Sequence, residues 1–336
     1  MHYWALDFYR FFAALIVSSS HFFVALYGSP AAEYISILGV ELFFVLSGFV
    51  LAPQLLRIQD SPTQHIKIFL IRRWMRTIPP YLVALIVASV LFGYGDAINL
   101  VKFLSYTQNL VADSSSPNFF PVAWSLSIEE WFYVVTPLLI LITSKIHKNK
   151  ANLFFIGLSV IVLMSAIRLG LNDGSNWGEE VRRSVLLRID AIFFGLIAYL
   201  LLDKIKIKYL IFTSLASLIF LICVGLNPTA LSNSILLQNL FLPICSICFS
   251  SILLLLTCID FKSRTTEKIA KFCADISYAM YLFHLFFITF FIHLGNNAIG
   301  SFIAYIAALI TFCYLFFVLF EKPILKARPK FSKTTS

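Results

Sequence analysis

The run LDFYRFFAALIVSSSHFFVALY, residues 6–27, is long and apolar enough to cross a bilayer, yet it carries Arg10 and His21. A hydrocarbon core about 30 Å thick needs roughly 20 residues of helix. Eleven helical positions set Arg10 and His21 about 16 Å apart along the axis and about 20° apart around it, so both lie on one stripe. Ionisable groups inside a span are costly against lipid and by default face protein or a water-filled cavity, which makes the stripe a candidate site. Two structural readings stand beside that one. Arg10 can snorkel from the first turns with Asp7 at i−3, and His21 can be a buried structural imidazole.

The rest of the chain has the same character. Of 336 residues, 60% are hydrophobic and 13% charged, and the mean hydropathy is +0.87, far from the roughly 25% charged of soluble domains. Ten apolar runs have spanning length, at about 7–27, 35–54, 78–95, 124–143, 151–170, 187–203, 209–226, 235–258, 276–294 and 300–320. We therefore expect an all-α, polytopic membrane bundle of about ten helices. It forms one domain over residues 1–336, with a core at about 6–325 and a basic tail at 326–336. The start MHYWALDFYR lacks a basic n-region and an A-x-A site, so the first span is expected to stay in the mature protein.

Charge placement sets the expected orientation. If the spans alternate, 20 of the 26 Lys and Arg fall on one side, in the segments 57–76, 145–150, 204–208, 262–271 and 322–333. The positive-inside rule puts that side, and both termini, in the cytoplasm. The net charge of +9 is then a consequence of topology, and nucleic acid is not an expected partner. Membrane lipids are. Cys245 and Cys248 have C-x-x-C spacing without a second pair or a His at zinc-finger distance, so the six cysteines read as packing residues and no metal site is expected.

Two connections are long. The cytoplasmic one, Leu55 to Thr77, ends in Arg72-Arg73-Trp74-Met75-Arg76 before Pro79-Pro80. The outer one, Asp96 to Ala123, contains Asp113-Ser-Ser-Ser-Pro117 and has room for a short interfacial helix.

In this topology His21 near the end of the first span, Glu41 near the start of the second, and Glu129 and Glu130 near the start of the fourth share the outer half of the bundle. A carboxylate bonded to one imidazole nitrogen leaves the other free to take a proton from a hydroxyl, as in acyl transfer. The plainer reading makes the three glutamates helix-start acids at the positive dipole end. Ser125 shares a face with Glu129 at i−4, where a hydrogen bond is expected. Arg72, Arg73 and Arg76 have the i, i+3/i+4 spacing that suits phosphate recognition, beside simple anchoring. On the outer side, Arg182, Arg183, Arg188 and Asp190 form a candidate acceptor site, or Arg188 and Asp190 form an internal ion pair. His284 and His293 lie 180° apart on a helix and cannot share a metal from one face. His2, His65 and His147 read as solvated ends or loops.

These residues resemble the acyltransferase 3 family, membrane O-acyltransferases of bacterial envelope and secreted glycans. The resemblance begins with Arg10 and His21 and runs through GVELFFVLSGFVL (39–51), RRWMRTIPPYLVAL (72–85), AWSLSIEEWFYVVTPLL (123–139), LRIDAIFFGLIAY (187–199), ISYAMYLFHLFF (276–287) and FEKPILK (320–326). It implies ten core helices in the bacterial inner membrane, essential Arg10 and His21, Arg73 and Arg76 near the acyl-donor site, and Glu129 in the WSLSxE element. It also implies acetyl-CoA or a related acyl-CoA as donor co-substrate. Glu41 stands where the family has Asp. No hydrolase-like segment of the kind some members carry follows the tenth span in this sequence, which removes one clue to the acceptor.

The expected reaction is transfer of an acetyl or other short acyl group from cytoplasmic acyl-CoA to a glycan hydroxyl. Arg10, Arg72, Arg73 and Arg76 hold the donor, and His21, oriented by Glu41 or Glu129, acts as general base or as an acyl-accepting nucleophile. Lipopolysaccharide, capsule, exopolysaccharide and peptidoglycan all qualify as acceptors. The rival is a multi-helix transporter of a lipid-linked sugar or small anion, since buried charges also mark transport paths.

Overall fold

The computed structural model describes residues 3–111, 118–143, 150–259, 263–292 and 297–329. His2, His147, His293, the Asp113–Pro117 stretch, Lys145, Lys148, Lys262 and most of the basic tail lie outside them. Among the described residues there are helices and no strands. These are α1 (Trp4–Tyr27), α2 (Pro30–Asp60), α3 (Pro62–Phe92), α4 (Ala97–Leu104), α5 (Ala123–Thr143), α6 (Lys150–Leu171), α7 (Val185–Arg188), α8 (Asp190–Leu200), α9 (Ile207–Leu226), α10 (Thr229–Ser232), α11 (Ile235–Leu256), α12 (Arg264–Phe291), α13 (Ala298–Phe316) and α14 (Lys322–Lys326), with π-helical turns at Trp177–Arg182 and Phe317–Glu321. With no water in a bilayer core to take up backbone N–H and C=O groups, helices satisfy them internally.

Nine helices among the described residues are long and apolar enough to cross a membrane. They coincide with nine of the ten expected spans. The exception is the sixth, residues 187–203, where α7 and α8 are separated at Ile189. Ile189 itself keeps helical dihedrals, φ −58° and ψ −25°, and its N–H bonds the Val185 carbonyl, so α7 runs on into α8; together they reach from Val185 to Leu200, fewer than the roughly 20 residues that a hydrocarbon core needs. Arg188 and Asp190, on either side of this junction, are buried at 1% and 0% exposure and engaged in the ion pairs described below.

What holds so short a helix in the bundle is close backbone contact. A Cβ on Gly48 of α2 would overlap the Ile192 carbonyl oxygen, and one on Gly195 of α8 would overlap the Val45 carbonyl oxygen. The two glycines thus let the helices touch along their backbones, the small-residue contact that substitutes for a hydrophobic driving force in lipid. α2 and α12 are the most buried of the long helices, and α1 packs against both. α6, α9 and α13 turn apolar residues such as Val162, Phe212 and Ile303 outward.

The Leu55–Thr77 connection is not a loop. α2 and α3 run on through it and are joined at Ser61 alone. Pro62 opens α3, and His65, buried at 1% exposure rather than solvated, donates from Nδ1 to the Arg57 carbonyl at 2.7 Å. Arg72, Arg73 and Arg76 consequently sit on a continuous helix that leads into the bundle. The outer connection does contain a short helix, α4, capped by Asp96 accepting from Asn99 N–H at 2.7 Å.

Gly48→Ala or Gly195→Ala should force α2 and α8 apart and cost about 1–3 kcal/mol or more, the range of an overpacked core. Thermal unfolding of the purified protein in detergent checks this, with Gly170→Ala, which meets nothing within 4 Å, as the unaffected control.

Candidate active site

Two groups of charged side chains stand out inside the bundle, one buried and one half-buried. In the first, Arg168 of α6 donates to both oxygens of Asp190 at 2.8 and 2.7 Å. Arg188 donates to both oxygens of Glu41 at 2.5 and 2.6 Å, and its other terminal nitrogen lies 3.9 Å from Asp190. Two cations and two anions, none more than 2% exposed, neutralise one another and tie α2, α6, α7 and α8 together.

This quartet corrects one expectation and decides between two others. Glu41 is the counter-ion of Arg188 and is not hydrogen-bonded to His21. Of the two readings of Arg188 and Asp190, the structure has the internal ion pair rather than a pair open to an acceptor. Strong pairing within hydrogen-bond distance is what allows four charges to remain in a low-dielectric interior.

The second group has a carboxylate nearby, Glu129, but no ion pair among the described residues. Among the described residues no carboxylate lies within ion-pair distance of Arg10, Arg73 or Arg76. The three line one narrow cavity of about 90 Å³ with Glu129, Ser47, Ser125, Tyr133, Tyr278 and Tyr281. Glu129 accepts from the Ser47 hydroxyl at 2.5 Å and from the Tyr133 hydroxyl at 3.1 Å. Ser125 pairs with the Tyr281 hydroxyl at 2.5 Å, not with Glu129 as its helical spacing led us to expect. Glu130 is turned toward α3 and accepts from Thr77 at 2.5 Å. Arg72 leaves the group and donates to the Pro329 carbonyl at 2.5 Å, tying α3 to the segment after α14.

Two wider cavities adjoin this one through shared walls, and a third adjoins the second of them. A space of about 360 Å³ at the start of α1, lined by Tyr3, Asp7 and Pro53, shares Arg10 with it. A space of about 340 Å³ containing His21 shares Val40 and Tyr281. A polar space of about 320 Å³, walled by Trp177 and Gln238, shares Glu33, Arg182 and Arg183 with the His21 cavity. Arg182 lies over the Trp124 ring, 5.1 Å from its centroid. Burial and then the neighbouring Arg183 lower its pKa, as for a cation short of counter-charge. Arg183 is paired with Glu179 on the preceding turn.

His21 has a partner that the sequence reading discounted. Its Nδ1 lies 2.8 Å from His284 Nε2, and His284 Nδ1 lies 2.7 Å from the Tyr281 carbonyl oxygen. Neither Glu41 nor Glu129 is bonded to His21. His284 was tested in the sequence only as a metal ligand with His293. The available signal was the spacing Tyr278, Tyr281, His284, three residues apart on α12, which places all three on neighbouring turns of one face. Ser47 and Tyr133 were missed as well, although Tyr133 stands at i+4 from Glu129.

Among the described residues no group of three or more His, Cys, Asp or Glu is placed to hold a metal ion. The bundle therefore offers a file of cavities with unpaired guanidinium groups at one end and an imidazole at the other. Compared with known families, residues 3–320 match the acyltransferase 3 family profile, described as an acyltransferase domain. The chain belongs to this family. Among curated proteins it is similar to the peptidoglycan O-acetyltransferase OatA of Listeria monocytogenes, 31% identical over 180 residues, 47% of this chain and 29% of that protein. It is also similar to a Bacillus subtilis protein provisionally named a peptidoglycan O-acetyltransferase, 30% identical over 151 residues, 40% of this chain and 24% of that one. A third relative, provisionally named an O-acetyltransferase in Staphylococcus aureus strain COL, is 29% identical over 190 residues, 51% of this chain and 31% of its own. The matched region thus spans less than a third of each relative. No solved structure matches the chain.

The charge quartet predicts a specific pattern of stability. Arg188→Met strands Glu41 and should cost about 3–5 kcal/mol, whereas Glu41→Gln combined with Arg188→Met should recover a large part of it. Equal losses in the single and double variants, measured by thermal unfolding in detergent, would contradict the pairing.

Proposed function

We propose that the protein is a multi-pass O-acyltransferase of the bacterial inner membrane, with both termini cytoplasmic, that moves an acetyl or other short acyl group from acyl-CoA to a hydroxyl of an envelope glycan. The observation that carries this reading is the file of cavities. The unpaired Arg73 and Arg76, on the basic side of the topology, share a narrow cavity with Arg10, and the cavity adjoins the space that contains His21.

Arg73 and Arg76 would take the phosphates of the donor, as guanidinium forks do. The thin pantetheine arm would occupy the narrow cavity past Arg10 and deliver the thioester near Tyr281, whose side chain borders both spaces. The acceptor hydroxyl would enter the His21 cavity from the side of Arg182 and Arg183. His21 then takes the hydroxyl proton as the oxygen attacks the thioester carbon. The Tyr281 hydroxyl, accepting from Ser125, would turn its own proton to the developing oxyanion. Collapse breaks the C–S bond, and the departing thiolate takes the proton from His21 to leave as free coenzyme A.

Glu129 keeps a role in this reading as a carboxylate facing Arg10 and Arg76 across the donor cavity, rather than as the orienter of His21. Peptidoglycan, named in two of the relatives, is the first acceptor to examine. Family membership and the donor cavity both favour transfer over the transporter reading.

Membranes carrying the protein should move labelled acetyl from acetyl-CoA to glycan, and His21→Ala should lower the rate by about 10²–10⁴-fold, the usual contribution of a general base. Undiminished transfer by well-folded His21→Ala would sink the mechanism. Arg73→Ala and Arg76→Ala should each raise the KM for acetyl-CoA about tenfold or more, since a charge-assisted hydrogen bond contributes roughly 1.5–3 kcal/mol, and should leave the KM for the acceptor unchanged.

A further inference from the structure

The hydrogen bonds around His284 determine where the protons of both imidazoles lie. The Tyr281 carbonyl oxygen can only accept, so His284 Nδ1, 2.7 Å away, must carry a hydrogen. A neutral imidazole has one N–H, which leaves His284 Nε2 as a lone-pair acceptor. That nitrogen faces His21 Nδ1 at 2.8 Å, so His21 Nδ1 must be the donor. His21 Nε2 is then unprotonated.

The ring geometry supports a directed bond. The two centroids are 5.0 Å apart and the planes 14° from parallel. With the facing nitrogens at 2.8 Å, that separation is the nitrogen–nitrogen distance plus the two ring radii. The imidazoles therefore lie edge to edge in nearly one plane, with the N–H of one aimed along the lone pair of the other, and not face to face. His284 is fully buried and held through a carbonyl of its own helix. His21 lines the 340 Å³ cavity and makes no other hydrogen bond among the described residues.

We propose that His284 is a positioning residue that locks His21 in the Nδ1–H tautomer, presenting Nε2 as the basic nitrogen to the acceptor hydroxyl. It performs with a neutral ring the orienting task that a carboxylate performs in a Ser-His-Asp triad. When Nε2 takes the hydroxyl proton, His21 becomes an imidazolium that still donates from Nδ1 to His284 Nε2. No proton has to pass to His284, and the proton leaves His21 with the departing thiol. A neutral orienter suits this place, because a carboxylate buried here without a cation would carry a large desolvation cost. The inference rests on the reading of His21 as general base.

Two measurements on the full-length protein test it. Nitrogen-15 NMR of histidine-labelled protein in lipid nanodiscs, with the His21 signals identified by their loss in His21→Gln, should show a protonated Nδ1 and a pyridine-type Nε2. His284→Ala should turn this into a mixture of tautomers. In the acetyl-CoA assay His284→Ala should lower kcat about 10²-fold or more with little change in either KM. His284→Gln, whose amide oxygen reaches toward the position of Nε2 and can accept from His21, should remain within about tenfold of wild type, since it restores the single hydrogen bond at issue. A wild-type His21 protonated at Nε2, wild-type turnover in His284→Ala, or a Gln variant as impaired as the Ala variant would each overturn the proposal. Failure of the base reading shows separately, as transfer that persists in His21→Ala, while the tautomer signals still decide the role of His284.

Discussion

The buried quartet of Glu41, Arg188, Asp190 and Arg168 is the constraint on which the rest of the bundle depends. A hydrocarbon environment offers no water to any of these groups, so each must be matched within hydrogen-bond distance by an opposite charge. Meeting that requirement ties the junction of α7 and α8 to α2 and α6, with α8 lying against α2 along Gly48 and Gly195. A membrane segment too short to span by itself is thereby held in the centre of the fold. It contributes Phe193 and Leu196, both fully buried, to the core.

Once those four charges are matched, the remaining ones become informative. Arg10, Arg73 and Arg76 have no ion-pair carboxylate among the described residues, and they converge on a single narrow cavity. Three cations and one carboxylate, Glu129, line this cavity, so positive charge is in excess there, and an anionic ligand is what would relieve it. The same polypeptide thus separates charges that assemble it from charges that bind, and the two sets are told apart by their partners rather than by residue type. Arg188 is buried and Arg73 half-buried in the same bundle, yet only Arg73 has no ion-pair partner among the described residues.

Much of this was legible in the sequence because lipid imposes a length and a polarity rule. Nine helices of spanning length, the short α4, and the gathering of Arg73 and Arg76 follow from apolar run length and helical spacing. Features that depend on pairing across the chain did not. Glu41 meets Arg188 across 147 residues and His21 meets His284 across 263, and no local pattern announces either meeting. Depth alone put Glu41 near His21, but depth does not specify which neighbouring helix a side chain faces. The sixth span is the one whose helical run, Val185–Leu200 through α7 and α8, is shorter than the others, and the ion pairs at its start are among the features that its apolar composition does not announce. Leu55–Thr77 was read as a loop because its charges interrupt the hydropathy, although none of them interrupts a helix.

The sizes of the cavities bear on how such an enzyme would protect its donor. On the proposed reading, a thioester must be held in a protein that is open to water on both sides. The narrow space of about 90 Å³ lies between one of about 360 Å³ near the start of α1 and one of about 340 Å³ around His21. On that reading the donor arm would occupy this space and keep the two aqueous sides apart. Water would then reach the thioester only from the His21 side, where a bound acceptor displaces it. His21 would have its proton acceptor facing that side alone, because its other nitrogen is committed to His284. Orientation of one imidazole and closure of one constriction would together direct the acyl group to a hydroxyl in preference to water.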